Sequence, residues 1–172
     1  MGVNGIPIGI NKENSFNFLR STNDVKLNMT LIEKEWNAAQ HLLFVSLKYT
    51  KTGDVMLNLI QRWQHMVEAA SEELLTKAKK KKLIKEIPAT PRERVDILQK
   101  VFKKEKVVMD TLTLYSFFRR IPTLEQVKEH EFRKNVALRI IDQGEIVVDM
   151  EKLKEWALLL ENFKKFVRTY IA

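Results

Sequence analysis

Between residues 55 and 78 the chain sets Val55, Leu59, Trp63, Val67, Ala70, Leu74 and Ala78 at steps of three or four. A strand would scatter those side chains over two faces, whereas a helix gathers them into one stripe. So long an apolar stripe must be covered by several other elements, and the rest of the sequence has to supply them. The stripe runs into Lys77-Ala78-Lys79-Lys80-Lys81-Lys82-Leu83-Ile84-Lys85, and Asp54 precedes it. Acid at the start and lysine at the end is the order that the helix dipole favours, so Asp54 is expected to cap this helix.

The covering elements announce themselves by their starts. Thr30-Leu31-Ile32-Glu33 reads as a capping box opening a helix with Ile32, Trp36, Ala39, Leu43 and Leu47 on its apolar face. That helix is expected to stop near Lys51-Thr52-Gly53, with Gly53 in the left-handed terminal position. Pro88 and Pro91 bound the next linker, and Thr90-Pro91-Arg92-Glu93 places a cap, a proline at the first helical position and a box-closing glutamate in order. Val95, Leu98, Val101 and Phe102 follow, then a helix near 107–120 with Val108, Leu112, Tyr115 and Phe118. Thr123-Leu124-Glu125-Gln126 reads as a further box opening a helix over 123–136. Over 137–149 the period changes: β-branched residues flank a turn containing Gly144, which fits a small β-hairpin or a helix end followed by an extended loop. Asp149 caps a last helix whose seam is Leu153, Trp156, Leu160, Phe163, Val167 and Tyr170.

Residues 1–28, with Gly2, Gly5, Pro7 and Gly9, read as a loosely ordered N-terminal arm holding a short helix around 15–21; residues 29–172 read as one domain. The expected fold is all-α: a single-domain antiparallel bundle of five to six helices, with a small β-hairpin near 137–149. Five Gly and four Pro in 172 residues are too few for a turn-rich all-β fold. Trp36, Trp63 and Trp156 fall on apolar faces and read as core anchors.

Zero cysteines exclude disulfides, thiol nucleophiles and Cys-ligated metal. No run approaches 18 apolar residues, so no membrane partner is expected. The start MGVNGIPIGINKEN lacks a basic stretch followed by a long apolar core, and Ile6 stands where myristoylation needs Ser or Thr. These readings give a cytoplasmic expectation. Abundant Lys and Glu with no Cys suits a thermophile.

Catalytic motifs are missing. His41, His65 and His130 lie in different segments, His130-Glu131 has no second His at HExxH spacing, and neither GxxxxGK[ST], GxGxxG nor GxSxG occurs. No cofactor, metal site or catalytic residue is assigned, and the reading leans away from an enzyme.

What the sequence offers instead is charge. A formal +8 favours anionic partners, RNA or DNA above all. Three consecutive helices end in basic clusters: Lys77, Lys79, Lys80, Lys81, Lys82 and Lys85; then Lys100, Lys103, Lys104 and Lys106; then Arg119 and Arg120. If the first and third of these helices run parallel, their clusters share one end of the bundle as an anion-binding surface. The competing account is that such lysines only satisfy terminal carbonyls and the dipole, each contributing about 0.3–1 kcal/mol. With no aromatic residue in the lysine run, base stacking is not supported there; contact with shape or backbone is the expected mode. Arg133 and Lys134 belong to a second polar group, in which Glu129 and Arg133 are spaced as a helical ion pair. Helices 91–104, 107–120 and 123–136 followed by a hairpin also have winged-helix order, which would make 123–136 a DNA-recognition helix.

With Ala38-Ala39, LIQRWQHMVEAASEELL at 59–75 and KEWALLLENFKKFVRTYI at 154–171 in view, the chain resembles the HEPN class of small antiparallel helical bundles over most of 30–171. The resemblance implies the bundle and RNA or protein partnership. Members often cleave RNA with an Arg followed by a polar residue and, four to six positions later, a His. Here Arg62 is followed too soon by His65, Arg120 lies too far ahead of His130, and Arg133-Lys134-Asn135 has no His downstream. The leading expectation is thus a basic, non-catalytic helical protein that binds nucleic acid or sits in a nucleoprotein assembly. A protein-interaction module or homodimer, and a HEPN-type ribonuclease, are the alternatives.

Overall fold

The structure is a computed structural model that describes residues 12–172, with side chains described from Lys26 onward. Helix α1 (Lys12–His41) passes through a π-helical turn (Leu42–Ser46) into the short α2 (Leu47–Tyr49). Then follow α3 (Gly53–Lys80), α4 (Pro91–Val101), α5 (Lys106–Arg120) and a 3-10 turn at Ile121–Thr123. Strands β1 (Glu125–Glu129), β2 (Ala137–Ile141) and β3 (Glu145–Val148) precede α6 (Met150–Ile171). The fold is mixed and mostly helical, not all-α, because β1–β2–β3 form an antiparallel sheet.

Helix α3 is the axis of the packing. Its stripe is buried at Leu59, Trp63, Val67, Ala70, Leu74 and Ala78, with Val55 half-buried. Helix α1 runs antiparallel to it: Asn28 Nδ2 donates to Glu73 at 2.6 Å, and Arg62 reaches Glu35 at 3.2 Å. Helix α6 runs parallel to α3, so that Lys77 Nζ donates to the Ile171 carbonyl at 3.3 Å. It also clasps α1, where Glu33 accepts from Lys164 at 3.0 Å and from Arg168. Helix α4 runs toward the same end as α3, and α5 returns: Tyr115 Oη donates to Glu68 at 3.1 Å and Phe118 stacks on Trp63 at 6.2 Å.

Burial opposes ionisation of Glu33, but Lys164 and Arg168 outweigh it and hold its carboxyl below the usual range. A depressed carboxyl stabilises the fold above its unfolded pKa, about 4.3, and that contribution is lost as pH falls through the lower folded value. Solvent screening keeps the clasp small, so Glu33→Gln is expected to cost about 0.2–1 kcal/mol at neutral pH. Urea unfolding at neutral pH and near pH 3 checks this, since the gap between variant and parent should close in acid.

Several starts differ from the sequence reading. Thr30 is not a cap: it lies inside α1, where its hydroxyl donates to the Lys26 carbonyl at 2.9 Å. Residues 12–28 of the expected loose arm are the first turns of α1, including the stretch 15–21, while 1–11 lie outside the described residues. Thr52, not Asp54, caps α3, accepting from the Val55 N–H at 3.4 Å. Gly53 is the first residue of α3 and not a left-handed terminus. A Cβ there would stand 2.6 Å from Lys128 Cγ, because the Lys128 stem lies across it on the way to Asp54 at 2.7 Å.

The largest correction is at 123–136, which holds no helix. The Thr123 hydroxyl donates back to the Arg120 carbonyl at 2.7 Å, and Gln126 Nε2 donates to the Ile121 carbonyl at 2.8 Å. Both polar groups thus finish α5 and its 3-10 turn, and the chain leaves extended as β1. Apolar residues are too sparse here to cover a helical face, whereas an edge strand tolerates the charges of Glu125, Lys128 and Glu129. The winged-helix reading fails with it, since the recognition helix is a strand. The Glu129–Arg133 helical pair fails too: Glu129 takes Arg139 at 2.9 Å, diagonally across the sheet, and Arg139 also binds Glu145.

The expected hairpin at 137–149 is present as β2–β3. Gln143 (φ 53°) and Gly144 (φ 155°) turn the chain, and Leu138, Ile140 and Val148 point into the core. The Thr90 and Asp149 caps form as read: Thr90 Oγ1 accepts from the Glu93 N–H at 3.3 Å, and Asp149 Oδ1 from the Lys152 N–H at 2.8 Å.

Candidate nucleic-acid interface

Because α3, α4 and α6 run the same way, their C-termini meet at one end of the bundle. Lys81 Nζ lies 4.1 Å from the centroid of the Tyr170 ring, and Phe102 meets Tyr170 and Phe166 edge-on at 5.0 and 5.8 Å. Around this aromatic floor opens a groove of 390 Å³, whose rim includes Lys81, Lys103, Lys104 and Glu105. The lysine run of α3 and the lysines beyond Val101 therefore share a surface.

Local structure explains how the run is presented. Helix α3 ends with the Leu83 N–H donating to the Ala78 carbonyl and the Lys82 N–H to the Lys79 carbonyl, both at 2.9 Å. This is a Schellman ending, and its left-handed position is occupied by Lys82 at φ 59°. Glycine is the usual occupant because an L side chain costs about 1–2 kcal/mol there. Lys82 occupies that position at this cost.

Dipole compensation uses some of this charge. Lys77 donates to the carbonyls of Ile171 and Ala172, and Lys81 sits on Tyr170. Three helix C-termini present about 1.5 negative charges in all. Lys77, Lys79, Lys80, Lys81, Lys82, Lys85, Lys103 and Lys104 exceed that severalfold, and Glu86 and Glu105 are the only acids within 77–86 and 100–106. Lys79, Lys82, Lys85, Lys103 and Lys104 are exposed and make no ion pair among the described residues.

The remaining candidates lie elsewhere. Helix α5 runs antiparallel to α3, so Arg119 and Arg120 finish beside Ile60, about 25 Å along α3 from Lys77 at 1.5 Å per residue. Arg120 binds Asp142 at 2.9 Å, and Arg119 lies 6.0 Å from the centroid of the Tyr115 ring. Arg133 and Lys134 sit in the β1–β2 turn, docked at the start of α3. The expected union of the α3 and α5 clusters does not occur.

The histidines stay dispersed: His41 faces Ser46, His65 lies 4.0 Å from Glu35, and His130 is in the β1–β2 turn. Among the described residues no three His, Asp or Glu side chains come together as a metal site, and no helix is long and apolar enough to cross a membrane. The aromatic floor escaped the sequence reading because Phe166 and Tyr170 lie far along the chain from the lysines they underlie. Tyr170, the last seam position of α6, is the one local sign of it. No protein-family model, curated protein or solved structure matches this chain.

Proposed function

We propose that the chain binds nucleic acid through the lysine-rimmed groove, by contact with the phosphate backbone. The observation that carries this reading is the exposed lysine set, which gathers Lys81, Lys103 and Lys104 around one groove and places Lys82 beside them at the left-handed end of α3. Exposed ammonium groups without ion-pair partners exchange counterions for phosphates, and the cost of desolvating them is small. Such contacts read backbone and shape rather than base sequence. Lys79–Lys82→Gln therefore is expected to weaken binding to a mixed-sequence duplex and to reduce the slope of log K against log salt by roughly 2 to 3, the share of Lys79, Lys81 and Lys82. Fluorescence anisotropy across a salt series measures both, and an unchanged slope refutes the reading.

A second reading, a HEPN-type ribonuclease, rests on one observation. Buried Glu35 brings Arg62 and His65 to the same carboxylate between α1 and α3. Any RNA cleavage that survives replacement of both Arg62 and His65 removes it.

A further inference from the structure

We infer that the opposite end of the molecule carries a stacking platform for single-stranded nucleic acid, built on Phe132 and Tyr49. It lies at the start of α3, some 40 Å of helix away from the lysine-rimmed groove, and rests on different observations. Two residues of the β1–β2 turn hold left-handed backbone without being glycine: His130 at φ 51° and Phe132 at φ 65°. For a bulky side chain this is a strained conformation, which persists only where surrounding bonds impose it. Those bonds are present. The Phe132 N–H donates to the Lys51 carbonyl at 2.6 Å, and the Gly53 N–H donates to Glu131 Oε1 at 3.1 Å.

The strain places no ring in the core: Phe132 is 75% exposed, and Tyr49, two residues before its backbone partner, is 76% exposed. Tyr49 and Phe132 thus flank a corner held by two hydrogen bonds and stand open to a partner. Charge says which kind. The acids of the corner are turned to internal partners: Asp54 to Lys128, Glu131 to Gly53 and Glu129 to Arg139. Exposed Lys48, Arg133 and Lys134 make no ion pair among the described residues, and Lys48 Nζ lies 5.7 Å from the Tyr49 ring centroid. Open rings interleaved with unpaired cations suit unstacked bases on a phosphate backbone; a duplex hides its base faces.

The test is anisotropy with labelled oligothymidine and oligouridine of roughly fifteen nucleotides, near the upper site size of single-strand modules, alongside a duplex of mixed sequence. Phe132→Ala and Tyr49→Ala are each expected to weaken single-strand binding about 5- to 100-fold, with duplex binding changed less than twofold. Phe132→Trp should retain single-strand affinity. Arg133→Gln with Lys134→Gln should lower the single-strand salt slope by roughly 1.4. The oligothymidine and oligouridine arms tell DNA from RNA. Tyr49 is outside the strained turn, so its variant stays informative even if the Phe132 variants fail to fold. The inference is overturned if the parent does not bind single strands, if Tyr49→Ala binds them as the parent does, or if single-strand and duplex affinities fall together. It is overturned equally if the corner captures only protein. Lys79–Lys82→Gln separates the two surfaces: it should weaken duplex binding and leave the Tyr49-dependent part of single-strand binding in place, and loss of that part would overturn the inference.

Discussion

Trp63→Ala is expected to remove about 3–5 kcal/mol of stability and to lower the melting temperature by roughly 6–20 °C. Trp63 is 1% exposed and sits where α3 meets α5 and α6. Its ring stacks on Phe118, which in turn meets Trp156 edge-on at 5.3 Å. Truncation opens a void between three helices that pack on one another through these rings, so relaxation can fill only part of it. Trp63→Phe should cost far less than alanine. The buried indole N–H has no partner among the described residues, and its removal recovers a desolvation penalty of about 1–3 kcal/mol that offsets the smaller ring. Calorimetry on the three proteins decides this; equal losses for Phe and Ala would refute it.

Ile140→Asp is expected to cost about 4 kcal/mol or more and to unfold sheet and bundle together. Ile140 is fully buried on the inner face of β2, paired with Gln126 and Ile146, with no cation opposite to neutralise a carboxylate. Leu138, Ile140 and Val148 belong to the same continuous core as Trp63 and Phe163. Trp36, Trp63 and Trp156 all lie on helices, so tryptophan fluorescence in a urea titration reports the bundle. The tryptophan midpoint should shift in Ile140→Asp. A midpoint equal to the parent's would mean that the sheet opens alone as an appendage. Val147→Asp is the parity control: it lies one face over, exposed and opposite Arg139, and should change stability by less than about 1 kcal/mol.

The capping boxes show how far local sequence reaches. Thr30, Thr90 and Thr123 carry nearly the same signature, yet only Thr90 caps a helix in the forward direction. A threonine hydroxyl accepts from an N–H ahead of it as readily as it donates to a carbonyl behind it. Pro91 breaks that symmetry at Thr90, since it cannot continue a preceding helix and fixes the first helical φ. Nothing comparable follows Thr30, and Pro122 precedes Thr123 instead. The same ambiguity turned the expected 123–136 helix into β1, a strand held by pairing with Ala137–Ile141.

The candidate surface divides along the same line. The lysines of 77–85 and the end of their helix were legible, because dipole order and apolar spacing act within a few residues. The aromatic floor beneath them and the parting of Arg119 and Arg120 from them were not. Both follow from helix direction, which no pattern inside a helix encodes. Phe132 fell inside the expected 123–136 helix; only its docking to Lys51 reveals a strained, outward-facing ring.

By itself the sequence determined the α3 stripe, the Thr90 and Asp149 caps, the β2–β3 turn and the want of any common catalytic motif. Each depends on neighbours within about one or two turns of chain. Tertiary structure alone decided that α4 and α6 run with α3 while α5 runs against it, that 125–129 completes a sheet, and which cations share a surface. Those outcomes are set by burial of whole faces between segments far apart in sequence, a global optimum that short-range preferences leave open.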